Sequence, residues 1–124
     1  MLRLLLVGLG GFVGTLGRYW IAEVVARRYG ETFPLGTLVV NALGCLLIGF
    51  LFRFFDNSSL DNPTVRMVTF IGLLGGFTTF SSYGLQTFTL LKDGEVFLAL
   101  VNVGASNILC LALVWLGYSL AKVV

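Results

Sequence analysis

Three stretches of this chain contain no charged residue at all: Leu35 to Phe52 with 18 residues, Met67 to Leu91 with 25, and Val96 to Ala121 with 26. A helix needs about 20 residues to cross a hydrocarbon core, so each stretch is long enough to span one. A fourth, Leu4 to Gly17, has 14 uncharged residues before Arg18 and reaches spanning length only with that arginine inside the span. With 57% hydrophobic and 11% charged residues, a 124-residue chain cannot cover a soluble surface. The expectation is a single all-α membrane domain over residues 1–124, with spans near 4–26, 35–55, 66–91 and 96–120. Arg3 before an apolar stretch imitates a signal peptide, but no small-residue cleavage site follows, and the stretch is read as the first helix.

This organisation excludes a good deal. Short connections near 27–34, 56–66 and 92–95 leave no room for a soluble catalytic domain, so an enzyme is not expected. Histidine is absent, which removes imidazole acid–base chemistry and His-ligated metals. Cys45 and Cys110 fall in separate spans, neither with a second cysteine nearby in sequence, and read as small apolar core residues. Eight basic residues with no run longer than Arg27-Arg28 give no support to nucleic-acid binding.

Charge also bears on orientation. Arg3, Arg53, Arg66 and Lys122 fall on the side of the termini, and Arg27, Arg28 and Lys92 on the other. Positive residues hold loops in the cytoplasm, and four against three is almost no instruction. Such a chain can insert either way, which permits an antiparallel dimer of oppositely oriented copies; a single orientation is the alternative. Gly10-x-x-x-Gly14 and Gly72-x-x-x-Gly76 place small residues on one face of the first and third spans, where backbones can approach closely.

Polar residues inside the spans carry the functional reading. Arg18, at roughly 2.5–3.5 kcal/mol for a central arginine, must snorkel to carbonyls or serve as an anion-attracting charge at a vestibule. Thr37 and Asn41 share one face of the second span at i, i+4, and Asn102 and Ser106 repeat that spacing in the fourth. Asn41 has two amide hydrogens to offer an anion or a neighbouring helix. In the third span Gly75-Gly76-Phe77-Thr78-Thr79-Phe80-Ser81-Ser82-Tyr83 is a run of poor helix formers. It either unwinds where protein or a ligand satisfies the backbone, or stays helical with hydroxyls bonded back to carbonyls.

Gly10-Gly11-x-x-Gly14-x-x-x-Arg18-Tyr19, Gly36-Thr37-Leu38-Val39-Val40-Asn41 and Gly75-Gly76-Phe77-Thr78-Thr79-Phe80-Ser81 together resemble the signature segments of the Fluc (CrcB-type) fluoride channels. The resemblance covers all four spans. It implies a third helix broken mid-membrane and a dual-topology antiparallel homodimer with two pores, in a bacterial plasma (inner) membrane. It also implies a structural sodium ion at the dimer interface, held by the Gly75 and Thr78 carbonyls. By position, Asn41 becomes a pore donor, Phe80 a pore phenylalanine, Ser106 a pore serine and Arg18 the first-helix arginine. Thr37, Thr79, Ser82, Tyr83 and Asn102 complete the implied fluoride path. The implied activity is passive export of cytoplasmic fluoride down its electrochemical gradient.

The chain departs from the family's pattern where it matters most. Tyr83 stands where a second phenylalanine is usual, which keeps the ring edge but adds a phenol that needs a partner. Ser82, Gly84, Gln86 and Asn102 differ from the common residues as well. These changes fit a variant channel, natural or engineered, or one half of a heterodimeric pair. Two other classes remain as alternatives. A small multidrug-resistance-type proton-coupled cation exporter needs a membrane-embedded carboxylate, and Glu23 is the one candidate. A non-conducting assembly subunit would use the polar stripes as interhelical glue.

Overall fold

A computed structural model describes residues 1–56, 58 and 62–123. Four apolar segments fold into helical spans: α1 (Leu2–Tyr29), α2 (Leu35–Asp56), an interrupted third segment over Pro63–Lys92, and a last helix over Val96–Leu120. With no water to satisfy backbone groups in a bilayer core, long apolar segments of this kind fold as helices, which satisfy those groups internally. Large side chains such as Leu5, Phe12, Trp20, Phe97, Ile108 and Trp115 point outward, as lipid-facing residues must.

The third span is two arms. Asn62 caps its start by accepting from the Thr64 N–H at 2.8 Å, and Pro63 takes a position where its missing N–H costs nothing. The first arm runs through Pro63–Met67, Val68–Leu74 and Gly75–Phe77, which together form α3. Its middle section is wound more widely, with i→i+5 bonds such as Gly75 N–H to the Phe70 carbonyl. After an extended Thr78-Thr79 step, α4 (Phe80–Lys92) begins, and α5 (Val96–Leu120) follows a short turn. Gly94 in that turn has φ 80°, a left-handed conformation that side-chain-bearing residues avoid.

Two helix pairs make the body, both built on glycine. A Cβ at Gly10 or Gly14 would strike the backbone of Val68, Leu73 or Phe77, and one at Gly72 or Gly76 the backbone of Val7 or Gly11. The close α1–α3 approach that the two spaced glycine pairs predict is therefore present. The α2–α5 pair, as extensive as the first, uses Gly49 against Val114 and Gly117 against Leu46 and Phe50. Those two glycines lie on different helices, and no sequence repeat announces them. Cys45 and Cys110, separate in sequence, become neighbours across this same pair, both with free thiols. By contrast α4 packs mainly on α5 and touches α2 lightly, which leaves much of its surface uncovered within one chain.

Ionic contacts sit at the ends. Arg66 pairs with Asp56 at 3.0 Å and lies over the rings of Phe52 and Phe70, tying the start of α3 to the end of α2. Glu23 pairs with Arg27 at 2.8 Å, one turn along α1.

Candidate functional site

The break in the third span is set by Asn41. Thr78 and Thr79 are extended, with φ/ψ of −82°/159° and −150°/119°. Their backbone groups, removed from any helix, need partners at membrane depth. The Asn41 carboxamide supplies them: its Oδ1 accepts the Thr79 N–H at 2.8 Å, and its Nδ2 donates to the Thr79 carbonyl at 3.0 Å. The Thr79 hydroxyl then caps α4, accepting the Ser82 N–H at 3.1 Å and donating to the Ser82 hydroxyl at 3.1 Å. Thr78 closes the other arm, with its N–H and its hydroxyl both donating to the Leu74 carbonyl. Gly44 on α2 makes room, since a Cβ there would collide with the Thr78 methyl.

Two carbonyls are released by this arrangement. In an uninterrupted helix the Gly75 carbonyl would accept from Thr79 and the Thr78 carbonyl from Ser82. Both N–H groups are diverted, one to Asn41 and one to the Thr79 side chain. A hard cation favours oxygen donors of this kind, so the donor chemistry at Gly75 and Thr78 fits sodium.

A groove of about 490 Å³ opens at the break, and Asn41, Gly75, Thr78, Thr79, Phe80, Tyr83 and Ser106 all line it. Most of the residues singled out from sequence therefore converge. Asn41 spends one amide hydrogen on Thr79 and, among the described residues, keeps the other. Phe80 is 82% exposed, with its ring 5.3 Å from that of Tyr83 and tilted 50° to it.

The remaining candidates lie elsewhere. Thr37, one turn before Asn41, lines a second cavity of about 680 Å³ toward the 30–34 and 92–95 turns, together with Gln86 and the carboxylates of Glu23, Glu31, Asp93 and Glu95. Ser82 is engaged with Thr79 and faces neither cavity. Arg18 is half-buried on α1, lines neither cavity, and among the described residues has no carboxylate within ion-pair distance.

Asn102 is 2% exposed and does not line the groove. Its Nδ2 donates to the Thr87 hydroxyl at 2.8 Å and its Oδ1 accepts from Ser106 at 3.4 Å, while Thr87 donates to the Tyr83 carbonyl at 2.8 Å. This chain of bonds moors the sparsely packed α4 to α5. Asn102→Leu leaves the buried Ser106 hydroxyl without its acceptor and cuts the link from α5 to Thr87, and an unpaired buried polar group costs about 1–3 kcal/mol. The expected result is a lower thermal midpoint in detergent, with faster amide exchange confined to α4.

Two groove or tether residues escaped the sequence reading, Thr87 and Asn107. Asn107 lies midway along α5, donates to the Val103 carbonyl at 2.8 Å and to the Tyr83 hydroxyl at 3.3 Å, and lines the groove. The signal was present: a third asparagine in charge-free sequence, besides Asn41 and Asn102.

Four apolar spans, with carboxamides and hydroxyls gathered around a break in one of them, define a multi-pass helical membrane protein whose polar chemistry is internal. A model of the family described as CrcB-like protein, Camphor Resistance (CrcB), matches residues 5–118. The chain is 48% identical over 116 residues to a protein of Opitutus terrae called fluoride-specific ion channel FluC, covering 92% of this chain and 88% of that one. Proteins of the same designation in Chlorobium phaeobacteroides and Citrifermentans bemidjiense are 48% and 42% identical over 122 residues, covering 96% and 98% of this chain and 92% and 98% of theirs. The chain belongs to the CrcB-like family.

Proposed function

We propose that this chain forms a passive fluoride-selective channel of the bacterial inner membrane, which lets cytoplasmic fluoride leave and so lowers its toxicity. The observation that carries the reading is near-full-length identity to proteins called fluoride-specific ion channels, joined to a groove in which the motif residues meet. The proton-coupled exporter loses its footing, because Glu23 lies against Arg27 near the end of α1 and not at the centre of a span.

The residues divide the work as conduction requires, with contacts strong enough to replace water and weak enough to release the ion. The free amide hydrogen of Asn41 donates to fluoride, and the Ser106 hydroxyl, which lines the groove, donates to it on turning from its long 3.4 Å bond to Asn102. Phe80 and Tyr83 offer ring edges, whose positive quadrupole attracts an anion without trapping it. Thr37, Thr79, Ser82 and Asn102 support this path, and Arg18 draws anions toward it from a vestibule. Neutral HF enters through lipid and dissociates inside; a negative membrane potential then drives the anion out with no pump.

The same reading extends to assembly. Two copies in opposite orientation cover the exposed flank of α4 and complete the groove, consistent with the weak charge bias of the loops. The Gly75 and Thr78 carbonyls would hold a structural sodium ion between them, which supplies a positive charge that binds the broken helices together. A tag at the N-terminus is expected to react from both faces of the membrane in comparable amounts; reaction from one face alone contradicts dual topology. For the function, expression in a bacterium lacking fluoride export restores growth in fluoride medium. Persistent sensitivity, with the protein present in the membrane, counts against the proposal.

A further inference from the structure

The phenol of Tyr83 has one hydrogen, and the structure determines where it is free to go. Asn107 Nδ2 lies 2.8 Å from the Val103 carbonyl, which can only accept, so this atom is the amide nitrogen and not the oxygen. The same nitrogen lies 3.3 Å from the Tyr83 hydroxyl oxygen, which accepts its second hydrogen. Among the described residues nothing accepts the phenolic hydrogen in turn. The ring that carries it is held against Phe80, its backbone carbonyl is bonded by Thr87, and the side chain lines the groove with Asn41 and Ser106.

We propose that Tyr83 is a direct O–H donor to the permeating anion, and that Asn107 is the positioning residue that keeps this hydroxyl turned as donor. The proposal rests on the fluoride-channel reading and adds a specificity element to it. A phenol O–H bonds a charged acceptor more strongly than a ring edge does. The gain is greatest for a small, hard anion that accepts strongly. Tyr83 thereby deepens a binding position along the path, and Asn107 prevents the hydroxyl from spending its hydrogen on a protein carbonyl.

The test is fluoride efflux from liposomes against internal fluoride concentration, for the parent, Tyr83→Phe, Asn107→Leu and the double variant. Tyr83→Phe keeps the ring and removes the donor. Loss of one hydrogen bond to an ion raises the half-saturating fluoride concentration about tenfold, with the maximal rate little changed. Asn107→Leu raises it by a smaller factor, about threefold, and has no effect once Tyr83 is phenylalanine, as coupled residues require. A general packing role for Asn107 would instead lower the maximal rate in both backgrounds. An unchanged half-saturating concentration in Tyr83→Phe overturns the proposal while leaving the channel reading intact. A parent that conducts no fluoride overturns both. As a second readout independent of flux, fluoride should perturb the tyrosine absorption spectrum of the parent but not of Tyr83→Phe; identical spectra argue against the contact.

Discussion

Asn41→Leu abolishes fluoride efflux, with a fall of at least about a hundredfold. Leucine fills a similar volume but leaves the Thr79 N–H and carbonyl without partners at membrane depth. Each stranded group costs about 1–3 kcal/mol, so about 2–6 kcal/mol is set against keeping the break open. The segment then drifts toward continuous helix, which recaptures the Gly75 carbonyl and displaces Phe80 from the groove. A hundredfold loss corresponds to about 2.7 kcal/mol, well inside that range. Asn41→Asp separates structure from conduction. It retains an oxygen for the Thr79 N–H and strands only the Thr79 carbonyl, about half the penalty of leucine, so the protein remains folded, but it places a negative charge in an anion path and removes the donor to the ion. The expected outcome is a monodisperse protein with no efflux, measured in the same liposomes; substantial fluoride flux through Asn41→Asp removes Asn41 from the path.

Gly14→Ala has a large expected effect on folding. Its single added carbon meets the backbone of Leu73 and Phe77, neither of which can yield without parting α1 from α3. Overpacking against side chains costs about 1–3 kcal/mol, and rigid backbone places this change at the upper end or beyond. Gly8→Ala, two turns earlier on the same helix, meets nothing within 4 Å and is expected to be neutral within about 0.5 kcal/mol. Thermal unfolding of the two proteins in detergent compares them directly. Equal midpoints would contradict the glycine-mediated approach of α1 and α3.

Much of this architecture was legible because lipid simplifies the problem. Charge-free windows become helices, since other backbone survives there only where protein satisfies it, as Asn41 does for Thr79. The spaced glycines Gly10 and Gly14 read as a contact face because the repeat lies within one helix. Gly49 and Gly117 did not, because they serve a crossing between two helices and share no local spacing. The wide winding over Val68–Leu74 was equally hidden: its residues are ordinary helix formers in lipid, and the register change arises where α3 packs on α1.

The site was readable in its members more than in its bonding. The glycine- and threonine-rich run announced an interruption, and Asn41 announced a polar face, but that one closes the other is a tertiary fact. Asn102 and Ser106 at i, i+4 fit a pore stripe and an interhelical tether equally well by spacing; burial and the bond to Thr87 distinguish them. Asn107 illustrates the converse. Its partner hydroxyl belongs to Tyr83, 24 residues away on another helix, and no periodicity links the two.

This chain alone is expected to conduct fluoride and exclude chloride. Efflux of each anion from liposomes holding only the purified protein, with a potassium ionophore to balance charge, tests it most directly. Rapid fluoride efflux with negligible chloride efflux is the expected result. Comparable rates for the two anions, or no efflux of either from well-folded protein, would contradict it.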